Sequence, residues 1–182
     1  MRHLHTVYVN GYGVPMERAD GNYDRYLSHV ARHVRMLHDA NLKPLLVLAG
    51  GATNPERPDV TEAHYMYKRF ATDYWDVLIN TDLKFIHGLS LDDNITSFAA
   101  ILRGLNLSFV TMFCEWARQD YFRFLAHRYI PNAEVQPVIF DRGHDPRWDV
   151  RLGKMLQLPL RIHDHRALRA AKPEAPNPTL RS

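Results

Sequence analysis

The feature of this sequence that most constrains its fold is an alternation of short apolar runs with longer stretches of helical periodicity. Leu27, Val30, Val34 and Leu37, for example, lie on one face of a helix predicted over residues 23–40. The apolar runs are continuous, which is typical of strands covered on both faces of a parallel sheet. We therefore predict an α/β fold, a three-layer Rossmann-like sandwich with a mainly parallel sheet of about five strands. The five runs cover residues 5–10, 42–50, 83–88, 107–113 and 134–140.

The length of the chain, 182 residues, suits one domain with its own core. We predict a single α/β domain over residues 1–162, whose last helix covers about residues 145–156. Residues 163–182 contain "AAKPEAPNPTLRS", which has three prolines and almost nothing to bury. This segment is predicted to be a C-terminal tail.

Composition excludes several classes of protein. The sequence contains no apolar run of about 18 residues and no signal-peptide h-region, which predicts a cytoplasmic protein without a membrane anchor. A single cysteine fits a reducing compartment. The formal charge of +3 is too small for the dense basic patch that nucleic-acid binding requires. The oligomeric state is left open.

Polar segments follow each of the predicted strands. Ligands of open parallel α/β sheets bind beyond the carboxyl ends of the strands. The segments at those ends are "NGYGVP", "GGATNPERPDVTE", "HGLSLDDN", "TMFCEWAR" and "DRGHDPRWD", and the opposite junctions are shorter and plainer. We expect the five segments to converge on one rim of the sheet and to form a binding crevice there.

Glycines in the first two of these segments have two interpretations. Gly11, Gly50 and Gly51 would let backbone amides approach a ligand, or they are turn glycines with positive φ. No third glycine completes a dinucleotide-binding fingerprint, and no P-loop lysine motif is present. Phosphate could still bind helix N-termini without such a motif.

Acidic residues near two predicted helix starts are equally ambiguous. Glu62 would line the crevice, or it would close a capping box with Asp59 at the N-cap and Glu62 at the third helical position. Ser90 and Asp93 fit the same capping pattern. We expect carboxylates crowded in one cleft to split their pKa values, so that one of them stays protonated at neutral pH.

Other side chains have structural explanations that weigh more than functional ones. Cys114, placed between a strand and a helix, is a small buried residue or else a nucleophile. His29 and His33 are four residues apart, but no third ligand has matching spacing, so no metal site is predicted. Arg118 follows Glu115 by about one helical turn, and its guanidinium suits a phosphate or a carboxylate.

Aromatic residues with interleaved arginines characterise the fourth predicted helix, residues 115–130. Bases could stack on these rings, which would indicate RNA binding with a steep salt dependence. Rings at helical spacing more commonly form part of the core, and the arginines then cover the outer face. We favour the core interpretation and predict no nucleic-acid partner.

Several of these motifs resemble the bacterial YdcF, SanA and ElyC proteins, small α/β domains of poorly defined function. The matching positions are Ala49-Gly50-Gly51, Thr61-Glu62-Ala63 with Met66, Leu91 to Asn94, Val110-Thr111, and Glu115 to Arg118. Glu115 stands where the family has histidine, and Asp93 shortens a glutamate of the family motif. The chain looks most like the soluble YdcF type, and the resemblance implies S-adenosylmethionine as a possible cofactor.

Together these patterns predict a cytoplasmic enzyme that binds a nucleotide-like or phosphorylated small molecule, as a hydrolase or a transferase. The alternative is a non-catalytic module that binds S-adenosylmethionine or another nucleotide. The predicted catalytic residues are Glu62, Asp93 and Glu115. The predicted ligand-binding residues are Asn10, Gly11, Gly50, Gly51, Asn94, Thr111 and Arg118.

Overall fold

The computed structural model describes residues 5–15, 21–105 and 109–139, all of which belong to one compact unit. The helix predicted over residues 145–156, the domain boundary at residue 162 and the tail over residues 163–182 lie outside the described residues.

Five parallel strands form a single sheet in the order β3-β2-β1-β4-β5. The prediction of a Rossmann-like α/β sandwich is therefore confirmed, and the sheet is parallel throughout. Each strand lies within two residues of its predicted bounds, apart from the amino end of the second. The strands are β1 (His5–Asn10), β2 (Leu45–Ala49), β3 (Asp82–Ile86), β4 (Phe109–Glu115) and β5 (Ala133–Val138).

Two of the predicted helices have a different form in the structure. The stretch "VTEAHYMYKRFATDYW", residues 60–75, is predicted as one helix, but in the structure it is divided at Tyr74, whose backbone N–H bonds to Phe70 O and ends the first part. The helix expected over residues 115–130 begins with a 3-10 turn, Trp116–Arg118, after the strand has ended. The α-helices are α1 (Gly21–Asp39), α2 (Glu62–Asp73), α3 (Trp75–Ile79), α4 (Leu91–Arg103) and α5 (Gln119–Tyr129).

The sheet lies between two apolar cores. Val7 and Val9 of β1 pack on one face with α1 and α2, whereas Tyr8 between them packs on the other face with α4 and α5. Successive strand residues point to opposite faces, so a strand with cores on both sides must be apolar at nearly every position. This explains the continuous apolar runs of the sequence.

The strand order reverses between β1 and β4. From β1 the chain builds outward through β2 to β3, and β4 and β5 are then added on the other side of β1. Such a reversal, a topological switch point, opens a crevice at the carboxyl ends of the two central strands. The hydroxyl of Tyr26 in α1 lies 2.8 Å from Asn10 O and 2.9 Å from Phe113 O, bridging the two strands just below the crevice.

Among the described helices, none combines the length and the apolar character needed to cross a membrane.

Candidate functional site

Glu62 lies at the carboxyl ends of β1 and β2, where the sequence analysis expected it. It is the first residue of α2, and 6% of its surface is exposed. Its side chain occupies the space in front of two glycines, since a Cβ added at Gly11 would lie 2.5 Å, and at Gly50 2.6 Å, from Glu62 Cβ. Thr53 in the β2–α2 loop donates its hydroxyl to Glu62 Oε1. The fold therefore holds this carboxylate in a pocket that glycines make possible.

The capping box expected at Asp59 and Glu62 is wrong. Thr61 is the N-cap of α2, and its hydroxyl accepts a hydrogen bond from His64 N at 3.1 Å. Glu62 is then at the first helical position and not at the third, so its side chain is not the partner of a cap. The helix begins two residues later than the capping pattern placed it, which leaves the carboxylate directed toward the rim.

Backbone amides at this end of α2 already have partners. Glu62 N donates to Gly51 O at 2.9 Å, and Ala63 N donates to Gly50 O at 3.2 Å. The amides of Gly11 and Gly50 donate to Ala49 O and Ile86 O, at 2.7 and 2.9 Å. The two glycines make room for Glu62, and the contact of their amides with a ligand stays a prediction.

Two tyrosines near Glu62 stay protonated. Burial, followed by the charge of Glu62, raises the pKa of both Tyr8 and Tyr23 well above its usual value. The Tyr8 hydroxyl donates to Asn10 Oδ1 at 3.2 Å. Both rings thus contribute neutral hydroxyl groups to the surroundings of the carboxylate.

The side chain of Asn10, a predicted ligand contact, is engaged on both sides. It receives the Tyr8 hydroxyl at Oδ1, and its Nδ2 donates to Gly11 O at 2.6 Å. Asn10 as a whole is 5% exposed. Asn10 therefore shapes the loop after β1, and its direct contact with a ligand stays a prediction.

Glu115 and Arg118 follow at the carboxyl end of β4, beside β1. Glu115 is the last strand residue and is 3% exposed, and its Oε2 lies 3.7 Å from Arg118 Nε. The Arg118 side chain is 28% exposed. This separation is long for a charge-assisted hydrogen bond, so the guanidinium keeps donors for a further anion.

Cys114 belongs to β4. The sequence analysis had placed it between a strand and a helix. It packs in the core on the α4 and α5 side of the sheet. Burial, and next the charge of Glu115, raises the pKa of its thiol to about 12. Because the thiolate is the reactive form, the structural interpretation of Cys114 is the one that fits.

The start of α4 confirms the second capping pattern. Ser90 Oγ accepts from Asp93 N at 3.1 Å and donates to Asp93 Oδ2 at 2.7 Å, so the Asp93 carboxylate is engaged at the cap. Asn94 is 4% exposed, and its buried Oδ1 has no hydrogen-bond partner among the residues that the structure describes. Gly88 faces that oxygen, since a Cβ there would lie 2.6 Å from Asn94 Oδ1.

Thr111 is the predicted site residue that the structure places away from the rim. It lies inside β4 opposite Val7, and its hydroxyl is 2.9 Å from His5 Nε2. Glu115, at the end of the same strand, is four residues further on, a distance of about 13 Å. Thr111 lies inside the strand as predicted (residues 107–113) and as observed, so its assignment to the polar segment at the strand end placed it too close to the rim.

The remaining predicted residues are arranged in a row along the rim, in the order of the strands. Asn94 lies beside the end of β3, Glu62 in front of the ends of β2 and β1, and Glu115 with Arg118 at the end of β4. Gly51, which follows β2, contacts the loop after β3, because a Cβ added at Gly51 would lie 2.8 Å from Gly88 O. Residues distant in the sequence thus share one edge of the sheet.

Metal and nucleic-acid interpretations gain nothing from this geometry. Within the described part of the chain, no group of three or more His, Cys, Asp or Glu side chains is placed to hold a metal ion. In α5, Phe122 is completely buried, and Tyr121 and Phe124 stack at 6.4 Å beside the same core. These rings support the fold, as the core interpretation expected.

Several contributing residues were missed by the sequence analysis. Gly88 was not singled out, although glycine directly after a predicted strand was the signal used for Gly50. Thr53 and Tyr26 gave no such signal, because a threonine in a loop and a tyrosine on an apolar helix face are ordinary. Their roles depend on contacts across 9 and 87 residues of sequence.

Fold and site together define a Rossmann-like α/β protein with buried carboxylates along the carboxyl rim of its sheet. No protein-family model matches the chain, and neither the curated proteins nor the solved structures include a significant match.

Proposed function

We propose that this protein is an enzyme that binds a nucleotide-like or phosphorylated small molecule at the rim and acts on it by carboxylate acid–base chemistry. The observation that supports this proposal is the buried Glu62 carboxylate, held against Gly11 and Gly50 at the ends of two central strands. Burying a carboxylate is costly, and such groups are concentrated at functional sites. No capping role accounts for it here.

In this proposal Glu62 exchanges a proton with a hydroxyl group of the ligand or with a water molecule. A carboxylate within hydrogen-bond reach of a hydroxyl group or a water molecule can act as a general base and then return the proton as a general acid. Glu115 is the second acid–base group, at the neighbouring strand end. Asp93, whose carboxylate accepts from Ser90, supports the start of α4 and is a weaker candidate.

Arg118 is the proposed anchor for an anionic group of the ligand. Its partly exposed guanidinium reaches Glu115 only at 3.7 Å, and guanidinium binds phosphate or carboxylate through two parallel hydrogen bonds. The N-terminus of α2 is a poorer anion site, because its first two amides bond to Gly51 and Gly50. The first turn of α4 carries the acidic Asp92 and Asp93.

A non-catalytic module that binds S-adenosylmethionine is the second candidate. Glu62 and Glu115 are buried carboxylates at the described rim, and two carboxylates beside one binding site favour a ligand with a cationic centre. The sulfonium of S-adenosylmethionine is such a centre, and its carboxylate would pair with Arg118. The resemblance to the YdcF proteins supports the same candidate.

Thermal-shift screening of the full chain against nucleotides, sugar phosphates and S-adenosylmethionine would test both functions. Each ligand that raises the melting temperature is incubated overnight with the protein and then analysed by mass spectrometry. A changed mass supports the enzyme, and tight binding without change supports the module. If no compound of these classes binds, both functions are contradicted.

Glu62→Gln separates a functional carboxylate from a structural one. We expect it to abolish turnover or to weaken binding at least tenfold, while the melting temperature stays within a few degrees. Glu56→Gln is the matched control, since Glu56 is an exposed carboxylate in the loop that precedes α2. A large loss of stability with ligand binding intact would show that Glu62 is structural.

A further inference from the structure

We infer that the ligand is an elongated, nucleotide-sized molecule with a neutral hydrogen-bond donor at one end and an anionic group at the other. This inference rests on the proposed function and adds the shape and polarity of the ligand. It follows from the positions of Asn94 and Arg118 at opposite ends of the row of rim residues.

The first anchor is the amide oxygen of Asn94. Asn94 is 4% exposed, and within the described part of the chain its buried Oδ1 has no hydrogen-bond partner, which is costly for a carbonyl oxygen. An amide oxygen accepts hydrogen bonds and donates none. Its complement is therefore an N–H or O–H group, such as an amino group or a hydroxyl, and not an ionised phosphate.

Access to this oxygen is through the loop after β3. The residue that faces Oδ1 is Gly88, and a Cβ at that position would lie 2.6 Å from the oxygen. Gly51 packs equally closely against the same loop, at 2.8 Å from Gly88 O for an added Cβ. The two glycines thus let the backbone of this loop pack directly against the amide. In the inferred complex this loop shifts so that the ligand reaches the oxygen.

The second anchor is the guanidinium of Arg118, after β4. Three gaps between neighbouring strands separate the ends of β3 and β4 in the observed order. At about 4.8 Å per gap the two anchors are separated by about 14 Å along the rim. Inorganic phosphate reaches only one anchor, whereas a molecule with a base or similar polar group joined to a phosphate can reach both.

Glu62 lies between the anchors, in front of β1 and β2. A ligand held at both ends therefore presents its middle to the carboxylate. This arrangement fixes where the proposed proton exchange takes place: on a group between the polar head and the anion. Substrates truncated at either end would lose orientation as well as affinity.

Isothermal titration calorimetry of the full chain with adenosine monophosphate, adenosine, ribose 5-phosphate and inorganic phosphate tests this inference. We expect adenosine monophosphate to bind at least tenfold more tightly than any of the three fragments. Equal affinity of the wild-type protein for adenosine monophosphate and inorganic phosphate would overturn the inference, and this measurement needs no variant.

Variants then assign each end of the ligand. Asn94→Ala is expected to weaken adenosine monophosphate and adenosine about tenfold and to leave phosphate unchanged. Gly88→Ala, which adds a methyl group against the amide, should have the same effect. Gly104→Ala is the control, because among the described atoms its added Cβ meets only Ile101 O, at 3.6 Å. Arg118→Gln should weaken adenosine monophosphate and phosphate but not adenosine.

The outcomes separate this inference from the function on which it rests. If adenosine monophosphate binds in a manner that depends on Glu62 and Arg118 but not on Asn94 or Gly88, the extended binding mode is wrong and the proposed function stands. If none of the four probes binds, the inferred ligand class is wrong, and the wider thermal-shift screen then decides on the proposed function.

Discussion

Gly11 lies so close to Glu62 that a side chain at position 11 would collide with it: a Cβ added at Gly11 would lie 2.5 Å from Glu62 Cβ. The two residues are 51 positions apart in the sequence and meet because the loop after β1 and the start of α2 share the same rim. Close packing of backbone against a buried carboxylate makes Gly11 a steric requirement and not a matter of turn conformation.

We expect Gly11→Ala to lower the free energy of unfolding by about 1–3 kcal/mol, because the new methyl group must displace Glu62. Urea denaturation would measure the change. Gly21→Ala is the matched control, since no atom of the described residues lies within 4 Å of an added Cβ there, and alanine favours a helix. Equal stability of the two variants would contradict the packing described for Glu62.

The N-cap of α2 can be assigned by mutation. Thr61→Ala should cost about 1 kcal/mol, since it removes the hydroxyl that accepts from His64 N. Asp59→Ala should change the free energy of unfolding by less than about 0.5 kcal/mol, as an exposed residue outside the helix. A larger loss at position 59 than at position 61 would restore the capping box that the sequence suggested.

Stability should fall in mild acid because of two histidines. Burial is the main cause that lowers the pKa of His5 and of His33 below 6.5, and their rings lie 5.5 Å apart. The charge of Glu134 opposes the shift in both. As the pH falls, the unfolded chain therefore binds protons before the folded protein does. The stability that the two neutral histidines contribute is complete above pH 6.5 and is lost as the pH falls below this value.

Urea midpoints at pH 7.5 and pH 5.5 would measure this dependence. The decrease should be smaller in a His5→Gln/His33→Gln double variant than in the wild-type protein, with the exposed His64→Gln as the control. An equally large decrease in the double variant would assign the acid sensitivity to other groups.

Cys114 should be almost inert in the native state. It is buried, and its pKa is raised to about 12, so little thiolate exists at neutral pH. We expect iodoacetamide to label the intact protein very slowly and the urea-unfolded protein rapidly, as followed by mass spectrometry. The sequence has a single cysteine, so the signal has one source. Rapid native labelling would reopen the nucleophile hypothesis.

The fold could be read from the sequence because its signals are local. Continuous apolar runs and the stripe from Leu27 to Leu37 depend only on neighbouring residues and on helical or strand geometry. The positions of Glu62 and Arg118 near strand ends could be inferred in the same way, because parallel strands place all their carboxyl ends at one edge. The exact boundaries of the elements could not be inferred, and this misplaced Cys114 and the N-cap of α2.

Amino-acid sequence alone thus determined the α/β class, the number of strands and the edge of the sheet where polar segments gather. Only the tertiary structure decided the strand order, and with it the spatial order in which Asn94, Glu62 and Arg118 lie along the rim. It also showed that Gly11 and Gly50 accommodate a carboxylate. The physical reason is that strand order and side-chain packing arise from contacts between segments distant in the chain, which local periodicity does not encode.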